Sequence, residues 1–271
     1  MDASELSHVG LFRAILNFDP KADLFNELLC PWMESERGWL TAFAQQTSPE
    51  PIAIEDSWRL YALSRINQIL LMAFQRGIYD SWEGPTLTLP EYLAFMTGLG
   101  FRVVDESAYS PFFHEIVDIV EAVPLRPRND YIDIERIDWP ALVLGSMMFS
   151  RAGVAVSCLA GTLNPEIATS STLFWAHRRK FRRCEDLADG WGSNSQWRTQ
   201  FRRDYVVGDK LLFNADGKFD LSDRDFAMRE DGLTRSERIE LLTYRCFVRC
   251  AKPDDDLAPY YDRVLLPRDF Q

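Results

Sequence analysis

Cationic and aromatic chemistry is concentrated in residues 175–205, WAHRRKFRRCEDLADGWGSNSQWRTQFRRDY. Eight Lys or Arg (Arg178, Arg179, Lys180, Arg182, Arg183, Arg198, Arg202 and Arg203) stand against four acids (Glu185, Asp186, Asp189 and Asp204). Six aromatics are interleaved: Trp175, Phe181, Trp191, Trp197, Phe201 and Tyr205. Guanidinium groups beside indole and phenol rings offer paired donors, cation–π contact and large rigid area, the features enriched where proteins grip partners. The middle of the segment is loop-like, with Gly190, Gly192, Ser193 and Ser195 around Trp191 and Trp197. Two readings stay open. In one, the arginines pair with acids of the same chain and the tryptophans are core. In the other, Trp191, Asn194, Gln196, Trp197, Arg198, Arg202 and Arg203 form a partner-binding surface. An enzymatic alternative uses the same stretch, 191–204, to grip an anionic substrate through Arg198, Arg202 and Arg203, with Asp204 or His114 handling protons.

A second set of titratable residues lies around His114 and Glu115. The metalloprotease pattern HExxH needs a histidine at position 118, where Asp118 stands, and the chain has three histidines in all, so no zinc site is expected. His114, Glu115, Asp118 and Glu121 have the residue types for acid–base work, but a strand separates them onto two faces. Cys246 and Cys250 are four apart and share a helix face, which with no second pair suits buried thiols better than half a metal site. Cys158 gains a base only if folding brings His177 or His114 to it. Asn214-Ala215-Asp216-Gly217 fails the EF-hand pattern because Leu212 holds the first ligand position. No phosphate-cradling glycine motif and no GxSxG elbow is present, so no cofactor and no metal are expected and a catalytic set is not evident.

The elements that must carry these residues fall into two kinds. Up to about residue 100 the pattern is helical. Ser4 is expected to cap a first helix bearing Leu6, Val9, Phe12, Ala14 and Leu16, and residues 21–44 read as one or two helices interrupted near Pro31. Residues 47–51 (TSPEP) read as a turn. Asp56 or Ser57 caps a strong helix with Leu60, Leu63, Ile66, Ile69, Leu70 and Phe74, stopped by Gly77. Thr88 or Leu89, with Pro90 and Glu91, starts another helix, which Gly98 and Gly100 end. Beyond that, strands are expected at 101–105, 115–123 and 131–137. Residues 142–149 and 153–159 read as a buried strand pair, and 211–221 as a hairpin turned by Asp216-Gly217. Thr234-Arg235-Ser236-Glu237 is a capping box opening a last helix, and the tail from Pro253 reads as irregular but packed. Segregated helices and strands give an α+β fold: a helical N-terminal half (1–100) and an antiparallel β-rich C-terminal half (101–271) closed by a helix, packed as one compact unit.

Composition bounds the function. The 271 residues carry 41 Asp or Glu against 30 Lys or Arg, a net charge of −11. Residues 175–205 stand at +4, so the remainder stands at −15, and such a surface opposes broad binding to nucleic acid or to an anionic membrane. A hydrophobic share of 46% excludes intrinsic disorder. The acidic N-terminus lacks a signal-peptide pattern, no apolar run spans a bilayer, and five scattered cysteines suit reduced thiols, so a cytoplasmic location is expected.

Phe112-Phe113-His114-Glu115-Ile116-Val117, Trp139-Pro140 with Gly145, Phe149-Ser150-Arg151-Ala152-Gly153-Val154, Trp191-Gly192-Ser193-Asn194-Ser195-Gln196-Trp197-Arg198 and Asn214-Ala215-Asp216-Gly217 together resemble a group of uncharacterised bacterial proteins. That group is associated with immunity or accessory genes near polymorphic toxins, and the resemblance covers roughly the C-terminal 160 residues. It implies a cytoplasmic protein-binding module that neutralises a partner, a cognate toxin, and it supplies no catalytic residues. Acidity fits such a role, because a basic toxin is steered to an acidic inhibitor.

Overall fold

The computed structural model describes residues 3–45, 49–74, 87–120, 132–168, 199–223, 232–245, 248–249 and 261–270. They form an α+β fold whose helices precede most of its strands. The chain divides into two compact units. The first takes the described residues within Met1–Val103, Leu142–Ser150 and Phe181–Phe201; the second takes those within Val104–Ala141, Arg151–Lys180 and Arg202–Gln271.

In the first unit, α1 (His8–Leu16) is capped by Ser7, whose hydroxyl accepts from Gly10 N at 3.1 Å, and buries Leu11, Phe12 and Ile15. Ser4 instead lies in a short 3-10 turn ahead of it. The chain then makes a π-helical turn, Phe25–Leu29, that runs directly into α2 (Cys30–Ala44). Pro31 stands in the first turn of α2, directly after the π-helical turn. The next helix, α3 (Ile54–Leu71), starts at Ala53 with no side-chain cap, so neither Asp56 nor Ser57 plays that part. Every residue from Leu60 to Leu71 is buried. A helix buried on all sides must pair its polar groups internally. Asn67 accepts the Tyr92 hydroxyl at 2.7 Å and donates to Ser150 Oγ at 3.0 Å, and Arg65 Nη1 donates to the Tyr61 hydroxyl. The fourth helix, α4 (Leu89–Gly98), has the expected reciprocal capping box between Thr88 and Glu91.

Three strands complete this unit: β1 (Arg102–Val104), β4 (Ala141–Leu144) and β5 (Met147–Ser150), in the order β1-β4-β5. Residues 142–149 are therefore not one strand but a tight hairpin turned at Gly145 and Ser146. Gly145 has φ +60°, and a Cβ there would stand 2.5 Å from the Ala44 carbonyl oxygen, so only glycine fits.

In the second unit, β2 (His114–Ile119), β3 (Asp133–Trp139) and β6 (Ala152–Ser157) form a three-stranded sheet with β6 central, parallel to β2 and antiparallel to β3. The expected pairing of 142–149 with 153–159 is thus replaced: β6 pairs with β2 and β3. A one-turn helix, α5 (Pro165–Ala168), follows. A further set runs β7-β8-β10-β9, comprising β7 (Asp204–Val207), β8 (Lys210–Phe213), β9 (Phe219–Asp220) and β10 (Asp262–Pro267). The true hairpin here is β7–β8, turned at Gly208 (φ +60°) and Asp209. The expected hairpin at Asp216-Gly217 does not form, because β10 lies between β8 and β9, antiparallel to the first and parallel to the second. Gly217 is glycine for closeness: a Cβ would sit 2.5 Å from the Asp262 carbonyl oxygen. The helix α6 (Arg235–Tyr244) has the expected Thr234–Glu237 capping box, and the tail beyond it, expected to be irregular, contributes β10.

Trp139 is fully buried, donates Nε1–H to the Arg151 carbonyl at 3.0 Å and lies flat against Gly153 of β6. A Cβ at 153 would meet the indole at 2.4 Å. Gly153→Ala is therefore expected to cost about 1–3 kcal/mol through overpacking, read as a lower urea midpoint with an unchanged slope.

Candidate functional site

Strand alternation sorts the sequence Arg202-Arg203-Asp204-Tyr205 into two faces. Arg203 and Tyr205 share one of them. Arg203 is 1% exposed and pairs bidentately with Asp216 (2.8 and 2.6 Å), while its Nη1 donates to the Tyr205 hydroxyl at 2.8 Å. Burial alone would lower this guanidinium, but Asp216 and Tyr205 outweigh it and raise it above its usual value.

Arg202 and Asp204 take the other face, and Asp204 is fully buried. Its Oδ1 accepts from Arg202 Nε at 3.0 Å and from the Asn214 backbone N–H at 2.7 Å. Its Oδ2 faces Arg245 Nη2 at 3.1 Å and Arg151 Nη2 at 3.8 Å. These partners come from four places. Arg151 leads into β6, Arg202 leads into β7, Asn214 ends β8 with φ +56°, and Arg245 ends α6 with φ +65°. Arg202 is tied back to the same helix end by donating Nη2–H to the Leu242 carbonyl at 2.6 Å, which satisfies a carbonyl that the helix terminus leaves open. Asn214 extends the network: its side-chain amide donates to the Asp262 carbonyl at 2.6 Å, and the Asp262 carboxylate accepts from Arg238 at 2.9 Å.

Burial pushes Asp204 upward, but Arg202, Arg245 and Arg151, with the Asn214 N–H, prevail and hold the carboxyl below its ordinary value. Burial lowers Arg202 to about 10 against the opposing pull of Asp204. Arg151 is also lowered well below its usual value, by burial first and by the Arg245 charge second. Asp204 is therefore a permanently ionised anchor at neutral pH, without the intermediate proton affinity that a general acid or base requires.

His114 and Glu115 open β2. His114 is 2% exposed, and its Nδ1 accepts the Ser110 N–H at 3.0 Å. That assigns the remaining ring proton to Nε2, which donates to the Glu106 carbonyl at 3.2 Å. Burial lowers its proton affinity below the ordinary histidine value. The ring is a neutral clasp for the loop preceding β2. Glu115 is buried on the same strand and lends a favourable field to Arg151. Thus Asp204 gathers Arg202 but neither Arg203 nor His114.

Trp191, Asn194, Gln196, Trp197 and Arg198 lie outside the described residues, as do His177, Cys246 and Cys250. Cys30 and Cys158 are free half-buried thiols, both raised by burial. Among the described residues, no group of three or more His, Cys, Asp or Glu is placed to hold a metal ion, and no helix is long and apolar enough to cross a membrane. Arg151, Asn214 and Arg245 were not singled out as partners of Asp204 by sequence. Arg151 and Asn214 sit inside quoted motifs, while Arg245, 41 positions beyond Asp204, carries no local signal.

No protein-family model, curated protein or solved structure matches this chain.

Two outcomes are expected. Asp204→Asn leaves three guanidinium groups facing a neutral amide and costs about 3–5 kcal/mol, measured by chemical denaturation. For His114 the unfolded state holds the proton more tightly than the folded state. Its contribution is present above the ordinary histidine value of roughly 6.5 and is lost as pH falls from there toward the lower folded value. His114→Gln, which cannot titrate, should flatten that part of a stability–pH profile.

Proposed function

We propose that this chain is a protein-binding module of the immunity type, an acidic cytoplasmic inhibitor that neutralises a basic partner toxin. The observation that supports the reading is how charge is distributed between interior and surface. Among the described residues, Arg65, Arg151, Arg203 and Arg238 are buried, and so are Glu36, Glu115, Asp204 and Asp262. Among these described, buried side chains the two signs are equal in number. The chain as a whole carries −11, and a net negative charge raises the encounter rate with a cationic partner. The resemblance of the C-terminal region to immunity-associated proteins points the same way. The enzymatic alternative on 191–204 assigns proton handling to Asp204 or His114, and these are a caged carboxylate and a neutral, backbone-bonded imidazole.

The test is co-expression with the products of the genes flanking its own. The expected result is that one flanking product arrests growth alone and is harmless together with this chain. The purified pair should associate at a rate that falls about 10-fold or more as salt is raised from low to high ionic strength. Neither protection nor binding at low salt would sink the proposal.

A further inference from the structure

The cage around Asp204 holds more positive than negative charge. Three guanidinium groups, Arg151, Arg202 and Arg245, converge on one carboxylate. Glu115 adds a field at Arg151, and even counted in full it leaves the cations ahead by one among the described residues. The adjoining pair Arg238–Asp262 is balanced within itself. The geometry shows where the surplus resides. Arg202 and Arg245 reach Asp204 at 3.0 and 3.1 Å, whereas Arg151 stands back at 3.8 Å. Arg151 is 4% exposed, and its Nε and Nη2 find no hydrogen-bond partner among the described residues; Nε of Arg245 is in the same condition. Buried guanidinium N–H groups without acceptors are expensive, and so is an uncompensated buried charge. A protein rids itself of both costs by admitting an anion.

We propose that Arg151, Arg202 and Arg245 bind a small inorganic oxyanion of the phosphate or sulfate type, held as a structural counter-ion beside Asp204. A tetrahedral oxyanion presents oxygens at the spacing that guanidinium forks take in pairs, and a spherical halide does not. Arg245 and Arg202 keep 14% and 9% of their side-chain surface exposed and Arg151 keeps 3%, so solvent reaches the first two more than the third. Asp204 sets the orientation of the forks, and its own charge limits the site to one anion. This site does not depend on the partner reading above; it is a property of the second unit alone.

The experiment is thermal unfolding of the full chain at pH 7 in sodium phosphate, sodium sulfate and sodium chloride at matched ionic strength. Wild type should rise saturably in phosphate or sulfate, by about 5–10 °C at 100 times the dissociation constant, and should stay near its baseline in chloride. Arg151→Gln removes the surplus charge and should lose the oxyanion response. If that variant fails to fold, Arg245→Gln, closer to the surface, should lose it instead. Equal responses to chloride and phosphate, or a full oxyanion response in the folded variant, would overturn the proposal.

Discussion

The second unit depends on one carboxylate that has no access to water. Moving an ionised Asp204 into the interior costs several kcal/mol, and that cost is repaid only if donors arrive from every direction. They do so from the entrance of β6, the entrance of β7, the end of β8 and the end of α6. Both segments of chain that enter the second unit after Val104–Ala141 begin with one of these donors, Arg151 and Arg202. The constraint therefore fixes where strands begin, and the two left-handed residues at Asn214 and Arg245 are the backbone distortions that bring their donors inward.

The first unit solves the same difficulty with fewer charges. Its helix α3 is buried on all sides from Leu60 to Leu71 and holds Arg65, Asn67 and Gln68 in that stretch. Asn67 links α3 to α4 and to β5 through Tyr92 and Ser150. Toward the outside, Glu36 accepts both prongs of Arg59 at 2.7 Å and faces His8 at 3.0 Å. Burial pushes the Glu36 carboxyl up, yet its contacts with His8 and Arg59 hold it below its ordinary value. Polar pairing of this kind specifies one arrangement of helices where apolar burial alone would tolerate several.

What could be read from sequence was what neighbours decide. The capping boxes at Thr88–Glu91 and Thr234–Glu237 need only four residues each, and both form. In β3 the acids Asp133 and Glu135 are exposed as the alternation implies, but Ile137 is exposed with them. Distant chain decided the rest. Asp216-Gly217 has hairpin chemistry, but β10 inserts beside β8 and takes the place of β9. Residues 142–149 are apolar throughout, so their composition hides the turn at Gly145. Asp204 stood in the segment singled out for its arginines. Of its partners, Arg202 is two residues away, while Arg151 and Arg245 reach it only through the tertiary fold. Arg202 divides its donors between Asp204 and the Leu242 carbonyl, and Arg203 closes its fork on Asp216.

Among the described residues, buried Arg151, Arg203 and Arg238 face the carboxylates of Asp204, Asp216 and Asp262, while buried Arg65 meets the Tyr61 hydroxyl. The arrangement stands on Asp204 being ionised in its cage. The direct measurement is an NMR titration of its carboxyl carbon in the intact protein. The account predicts that the signal stays at its ionised position below the ordinary aspartate value of roughly 3.9, until acid unfolds the chain. A titration midpoint at or above that value would contradict it.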